Sequence, residues 1–122
     1  MTKNTTIICY PKCSTCKKAE KWLQEKGIKY NYRPIKEKNP TVEELKKWIL
    51  KSDLPIKSFF NTSGILYREQ NIKEKIKTST QEELLQILAS DGMMVKRPIL
   101  LIGNQVLVGF NEKKWEENIQ NK

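Results

Sequence analysis

The chain contains no histidine. That absence excludes Ser-His-Asp and Cys-His catalysis, imidazole metal ligation and a histidine pH switch. Cysteine stops early: Cys9, Cys13 and Cys16 crowd the start of a 122-residue chain, and none follows. A structural disulfide framework spreads its cysteines to close long loops, so this is not one. Three cysteines without histidine also fall short of the four ligands of a structural zinc site. Long hydrophobic runs are missing: Ile99–Ile102 is as long as they get, far below a membrane span. Met1–Thr6 has no apolar stretch of the kind a secretory leader carries, so a cytoplasmic location is expected. Arginine is scarce, with Arg33, Arg68 and Arg97 beside twenty lysines.

Hydrophobic residues make up 38% of the chain and charged residues 30%, which allows a packed core under a heavily solvated surface. A single domain over residues 1–122 is expected. The formal net charge of +9 is unevenly spread. Residues 1–61 hold 14 basic and 6 acidic side chains, whereas residues 62–122 hold 9 and 8. The basic half carries the cysteines, and such a field can attract an anionic substrate, an acidic protein or nucleic acid. No nucleic-acid-binding motif accompanies the lysines, so direct sequence-specific binding of nucleic acid is not expected.

Ile7-Ile8-Cys9-Tyr10 reads as a buried strand stopped by Pro11. Cys16, Ala19, Trp22 and Leu23 then recur at helical spacing, up to Gly27. Ile28, Tyr30 and Tyr32 alternate with polar neighbours, so Ile28–Arg33 reads as a second strand ending at Pro34. Thr41 with Glu44, and Thr80 with Glu83, are capping boxes opening two helices. The first buries Val42, Leu45, Trp48 and Ile49, the second Leu84, Leu85, Ile87 and Leu88. Between them, Lys57–Gly64 reads as a helical turn and a loop, and Ile72–Thr78 as a short helix. Ile99–Ile102 and Gln105–Val108 flank Gly103-Asn104, a hairpin pattern. Asn111 caps a last helix with Trp115 and Ile119 inward. The order is βαβ, a helical insertion over residues 41–90 or so, then ββα. A parallel first pair with a right-handed crossover, joined to an antiparallel hairpin, predicts an α/β chain with a thioredoxin-like four-stranded mixed sheet.

Cys13-Ser14-Thr15-Cys16 stands where the first strand meets the first helix. Free N–H groups and the dipole at the helix start can stabilise a thiolate on Cys13, and Lys12, Lys17 and Lys18 add positive charge. Cys16, one turn on, can reach a mixed disulfide formed on Cys13. Cys13 is therefore the expected nucleophile and Cys16 the resolving thiol. Cys9, on the strand, reads as a buried, inert thiol. Arg97-Pro98 opens the third strand; in a thioredoxin-like fold that bond is expected to be cis and packed beside the cysteines. Arg97 would then hold an oxyanion or a thiolate. A surface arginine capping its own loop is the other reading of the same residue.

With Cys13–Cys16, Arg97-Pro98-Ile99 and Val108-Gly109-Phe110-Asn111-Glu112 in place, the chain resembles the ArsC/Spx family along its length. That family comprises glutaredoxin-linked arsenate reductases and Spx-type redox-sensing transcription regulators on a thioredoxin-like fold. Phe60–Gly64 with Tyr67-Arg68 is similar to a further branch of it. Resemblance to the reductases implies that Cys13 matches their cysteine and Arg97 one of three arginines around arsenate. The other two arginine positions fall in Phe60-Asn61-Thr62 and Gly109-Phe110-Asn111, which hold none. Resemblance to the regulators implies a Cys13–Cys16 switch and the RNA polymerase α subunit as partner. Their polymerase-contacting glycine has no counterpart in Lys51-Ser52-Asp53-Leu54-Pro55. The implied function is a thiol–disulfide oxidoreductase working through Cys13, Cys16 and Arg97, with a redox-controlled regulator as the alternative. No bound cofactor or metal is implied, and glutathione, glutaredoxin or thioredoxin would donate the electrons.

Overall fold

A computed structural model describes residues 5–120; residues 1–4 of the Met1–Thr6 stretch and residues 121–122 lie outside it. β1 (Thr5–Cys9) runs through the middle of the sheet, with Ile7, Ile8 and Cys9 fully buried. It pairs parallel with β2 (Asn31–Pro34) and antiparallel with β3 (Ile99–Ile102), and β3 pairs antiparallel with β4 (Gln105–Val108). The order β2-β1-β3-β4 is the four-stranded mixed sheet that the element order predicts. β2 starts later than its alternation suggests, at Asn31 rather than Ile28, and Tyr32 is 40% exposed. The strand lies at the sheet edge, so its outer side pairs with nothing, and Pro34 is tolerated there without an N–H. Ile28 and Tyr30 pack inward from the loop ahead of it.

Alternation along the strands divides the core between the two faces of the sheet. Ile7, Cys9, Leu100 and Ile102 meet α1 (Ser14–Glu25) and α6 (Glu112–Gln120) through Ala19, Trp22, Leu23 and Trp115. Ile8, Ile99 and Val106 meet the helical insertion through Leu45, Trp48, Leu85 and Leu88. That insertion comprises α2 (Val42–Ser52), α3 (Ile65–Glu69), α4 (Ile72–Thr78) and α5 (Gln81–Ser90). Both capping boxes form, with Thr41 and Thr80 hydroxyls accepting from Glu44 and Glu83 N–H groups at 3.1 Å. α3 has no comparable signal in the sequence. Gly64 at its N-cap offers no side chain, and none of its residues is buried.

Arg33 ties the insertion to β2. Its guanidinium donates to both Glu44 carboxylate oxygens at 2.8 Å and lies 5.7 Å from the Trp48 ring centre. Hydrogen bonds from Arg33 hold the Glu44 carboxyl down to about 2. A carboxyl lowered on folding stabilises the fold above its ordinary range and loses that contribution as pH falls through the lowered value. Glu44→Gln is therefore expected to lower the urea midpoint near neutrality, with the gap to wild type closing between about pH 4.5 and 2. Denaturation series across that window check it; a pH-independent gap would leave the capping hydrogen bonds as the whole effect.

Candidate active site

β1 ends at Cys9, and Tyr10-Pro11-Lys12 delivers Cys13 to the N-cap of α1. The Cys13 sulfur accepts the Cys16 N–H at 3.4 Å, and its own N–H donates to the Tyr10 carbonyl at 3.0 Å. A thiol thus fills the place that a serine or aspartate commonly takes at a helix start. Cys13 is half-buried and lines an open cleft, whereas Cys16 is 1% exposed.

The register of β1 on β3 pairs Ile8 with Ile99, so one step further Cys9 comes opposite Pro98. The Arg97–Pro98 bond is cis, and Arg97 lines the same cleft as Cys13. Its guanidinium lies 5.3 Å from the centre of the Tyr10 ring, and Nη1 donates to the Val95 carbonyl at 3.2 Å. Nε is buried without a hydrogen-bond partner. Arg97 thus caps a loop carbonyl while lining the cleft that holds Cys13.

All three thiols are free and share one cluster. The Cys16 sulfur is its central acceptor. A hydrogen bond from the Cys9 thiol lowers it most; burial opposes, and the Tyr10 N–H and Cys13 thiol lower it further, to about 6. Donating to Cys16, together with burial, pushes Cys9 well above the thiol range. Burial also pushes Cys13 up, against the Cys16 N–H and the charge of Arg97. Donation from the buried Cys9 thus favours ionisation at Cys16, and burial opposes it at Cys13, whereas the helix start alone favours Cys13.

The cleft has a volume of about 1030 Å³ and is walled by Lys12, Lys96, Arg97 and Lys114, and among the described residues no carboxylate lines it. Asn61 and Thr62 on one side and Gly109, Phe110 and Asn111 on the other also line it, and none of these is charged. Sequence reasoning assigns no site role to Lys96, Lys114 or Tyr10. Lys96 adjoins Arg97, a usable signal, whereas Lys114 sits in a charged helix turn with no pattern of its own. Among the described residues no group of three or more His, Cys, Asp or Glu side chains is placed to hold a metal ion. No helix among them is long and apolar enough to cross a membrane.

The sequence profile of the ArsC family matches residues 9–118. The chain belongs to the ArsC family. Within it, the chain is 52% identical to YusI of Bacillus subtilis over 113 residues, covering 93% of this chain and 96% of YusI. The crystal structure of an ArsC family related protein from Bacteroides fragilis superposes with a TM-score of 0.90 at 51% identity, over 93% of this chain and 96% of that one. A possible arsenate reductase from Streptococcus mutans superposes with a TM-score of 0.85 at 34% identity, over 94% and 99%. The global transcriptional regulator Spx of Staphylococcus aureus is 29% identical over 107 residues, which is 88% of this chain and 80% of Spx. This ArsC-family chain is thus similar both to a protein described as a reductase and to a regulator.

Proposed function

We propose that this ArsC-family protein is a thiol–disulfide oxidoreductase in which Cys13 is the nucleophile, Cys16 the resolving thiol and Arg97 the cation beside them. The observation that carries this reading is the placing of the two thiols. Cys13 opens on a basic cleft, and Cys16 stands one helical turn behind it, closed to solvent.

The Cys13 thiolate attacks one sulfur of an oxidised substrate; the substrate S–S bond breaks, and its other sulfur leaves as a thiol. The Cys16 thiolate then attacks Cys13 of the mixed disulfide, releasing the second substrate thiol and closing a Cys13–Cys16 disulfide. Two electrons pass from the pair to the substrate, and glutathione, glutaredoxin or thioredoxin returns them from outside. Access makes Cys13 the first nucleophile although donation from Cys9 favours ionisation at Cys16. Neighbouring coupled thiols share one proton, and only Cys13 can meet a substrate. The acidity of Cys16 serves the second step. The charge of Arg97 lowers both thiols.

Mild oxidation by hydrogen peroxide is expected to give a reversible Cys13–Cys16 disulfide with Cys9 still alkylatable after unfolding. Peptide mapping by mass spectrometry checks this, and a dominant Cys9 linkage would overturn the roles. Turnover of small disulfides and of arsenate, with each reductant in turn, then defines the reaction. A redox-controlled regulator bound to the RNA polymerase α subunit is the second reading, favoured by the similarity to Spx. Retention on immobilised polymerase, dependent on the state of the thiol pair, would select it; turnover without retention selects the reductase. Both readings place the protein in the cytoplasm.

A further inference from the structure

We infer that the cleft at Cys13 continues into a lysine-lined groove that seats an acidic polypeptide segment, so that the substrate is a disulfide flanked by carboxylates on an oxidised protein. The inference rests on the thiol–disulfide reading above and names its substrate class.

A second cleft of about 490 Å³ lies among the helical turn Ile56–Phe59, α3 and α4. Thr62 and Lys96 line both clefts, so the second adjoins the one that holds Cys13. Lys57, Lys73, Lys77 and Lys96 line the second part, all of them exposed, with no carboxylate among the lining residues. Lys77 has Glu74 at 3.6 Å, on the same helix. Among the described residues Lys57, Lys73 and Lys96 have no ion-pair partner, as is the case for most of the other lysines. Clustered, uncompensated cations repel one another and raise the local concentration of an anionic ligand.

The shape selects among anionic ligands. A small charged disulfide is accommodated in the cleft at Cys13, where Lys12, Arg97 and Lys114 already stand. Lys57, Lys73 and Lys77 line the adjoining cleft and not the one at Cys13, so they suit further carboxylates carried on the same chain. Ser58, Thr62 and Tyr67 supply hydroxyls along the groove for a peptide backbone. Nucleic acid fits less well. Phe60 is 1% exposed, so its ring is closed to base stacking, and Tyr67 is the one other aromatic side chain lining this part. A groove that ends on a redox-active thiol also has a use for a partner that carries sulfur.

The test uses the reduced protein and three peptides, each with one cysteine activated as its 2-pyridyl disulfide. The cysteine is flanked on both sides by glutamates, glutamines or lysines. Cys13 displaces 2-thiopyridone from the peptide sulfur, Cys16 then releases the peptide thiol, and absorbance of 2-thiopyridone reports the rate. At low ionic strength the glutamate peptide is expected to react roughly tenfold faster than the glutamine peptide, and the lysine peptide slowest, with salt bringing the three together. Lys57→Gln/Lys73→Gln/Lys77→Gln is expected to bring the glutamate rate down to the glutamine rate. The ratio is read within one protein, so partial unfolding does not mimic the effect. Equal rates for all three peptides in the wild type would overturn the groove. A preference that survives the triple substitution would assign it to the Cys13 cleft and overturn the groove as well. Equal rates combined with single-stranded oligonucleotide binding that the triple variant loses would give the groove to nucleic acid instead. No 2-thiopyridone release from any peptide would overturn the thiol–disulfide reading itself.

Discussion

Cys13→Ser is expected to reduce thiol–disulfide exchange to the uncatalysed rate, whereas Cys16→Ser is expected to complete one attack and stop as a stable mixed disulfide. A serine hydroxyl is not appreciably ionised near neutrality, and the neighbouring thiols cannot substitute. Cys16 is 1% exposed and Cys9 fully buried, so neither meets a substrate disulfide without local unfolding. Intact mass after a single turnover distinguishes the variants: a substrate adduct on Cys16→Ser, none on Cys13→Ser. An adduct on the Cys13→Ser protein would reverse the roles. The pH dependence of the second step is a separate readout. The resolving form is the thiolate, and donation from Cys9 favours it at Cys16, so the release of the bound thiol is expected to rise with pH and level off below the ordinary thiol range. Cys9→Ala removes the largest cause of the lowering, and its profile is expected to move toward the ordinary thiol value of about 8.5. An unmoved profile would mean that Cys9 only fills space.

The strand and helix pattern was legible because each signal rests on local chemistry. The threonine–glutamate boxes, the Gly103-Asn104 turn and the 3.6-residue stripe of Cys16, Ala19, Trp22 and Leu23 are all reproduced. β2 starts three residues later than the alternation predicts because Ile28 and Tyr30 are partly buried by tertiary packing while still outside the sheet. α3 was invisible because a five-residue helix with a glycine cap and no buried face leaves no periodicity. Motif and fold bring Cys13, Cys16 and Arg97 together as candidates, and the structure places Cys13 and Arg97 on one cleft with Cys16 in the core behind Cys13. The acidity of Cys16 was not legible. It depends on Cys9 lying beside Cys16 across the β1–α1 junction, a contact set by register and burial rather than by spacing along the chain.

Trp115→Ala is expected to destabilise the fold by about 3–5 kcal/mol, a large fraction of the roughly 5–15 kcal/mol available to a domain. Trp115 is 1% exposed, with its ring edge-on to Trp22 at 5.7 Å and to Phe110 at 4.8 Å. Its Nε1–H donates to the Gly109 carbonyl at 3.1 Å, and the Gly109 N–H donates to the Pro98 carbonyl at 2.8 Å. Through these two bonds α6 holds the Gly109–Asn111 side of the cleft against the bond that carries Arg97. Gly109 has φ +74°, a conformation glycine adopts freely, so the segment depends on this anchor rather than on a rigid side chain of its own. Trp115→Phe separates the two contributions. It keeps most of the apolar contact but leaves a buried carbonyl without its donor, a loss of about 1–3 kcal/mol. Urea unfolding measures both variants, and Cys13 alkylation below the transition reads the cleft. If the hydrogen bond positions the wall, Trp115→Phe changes the alkylation rate while still fully folded. If the Phe variant matches wild type in alkylation and loses only stability, Trp115 packs the core and the wall stands without it.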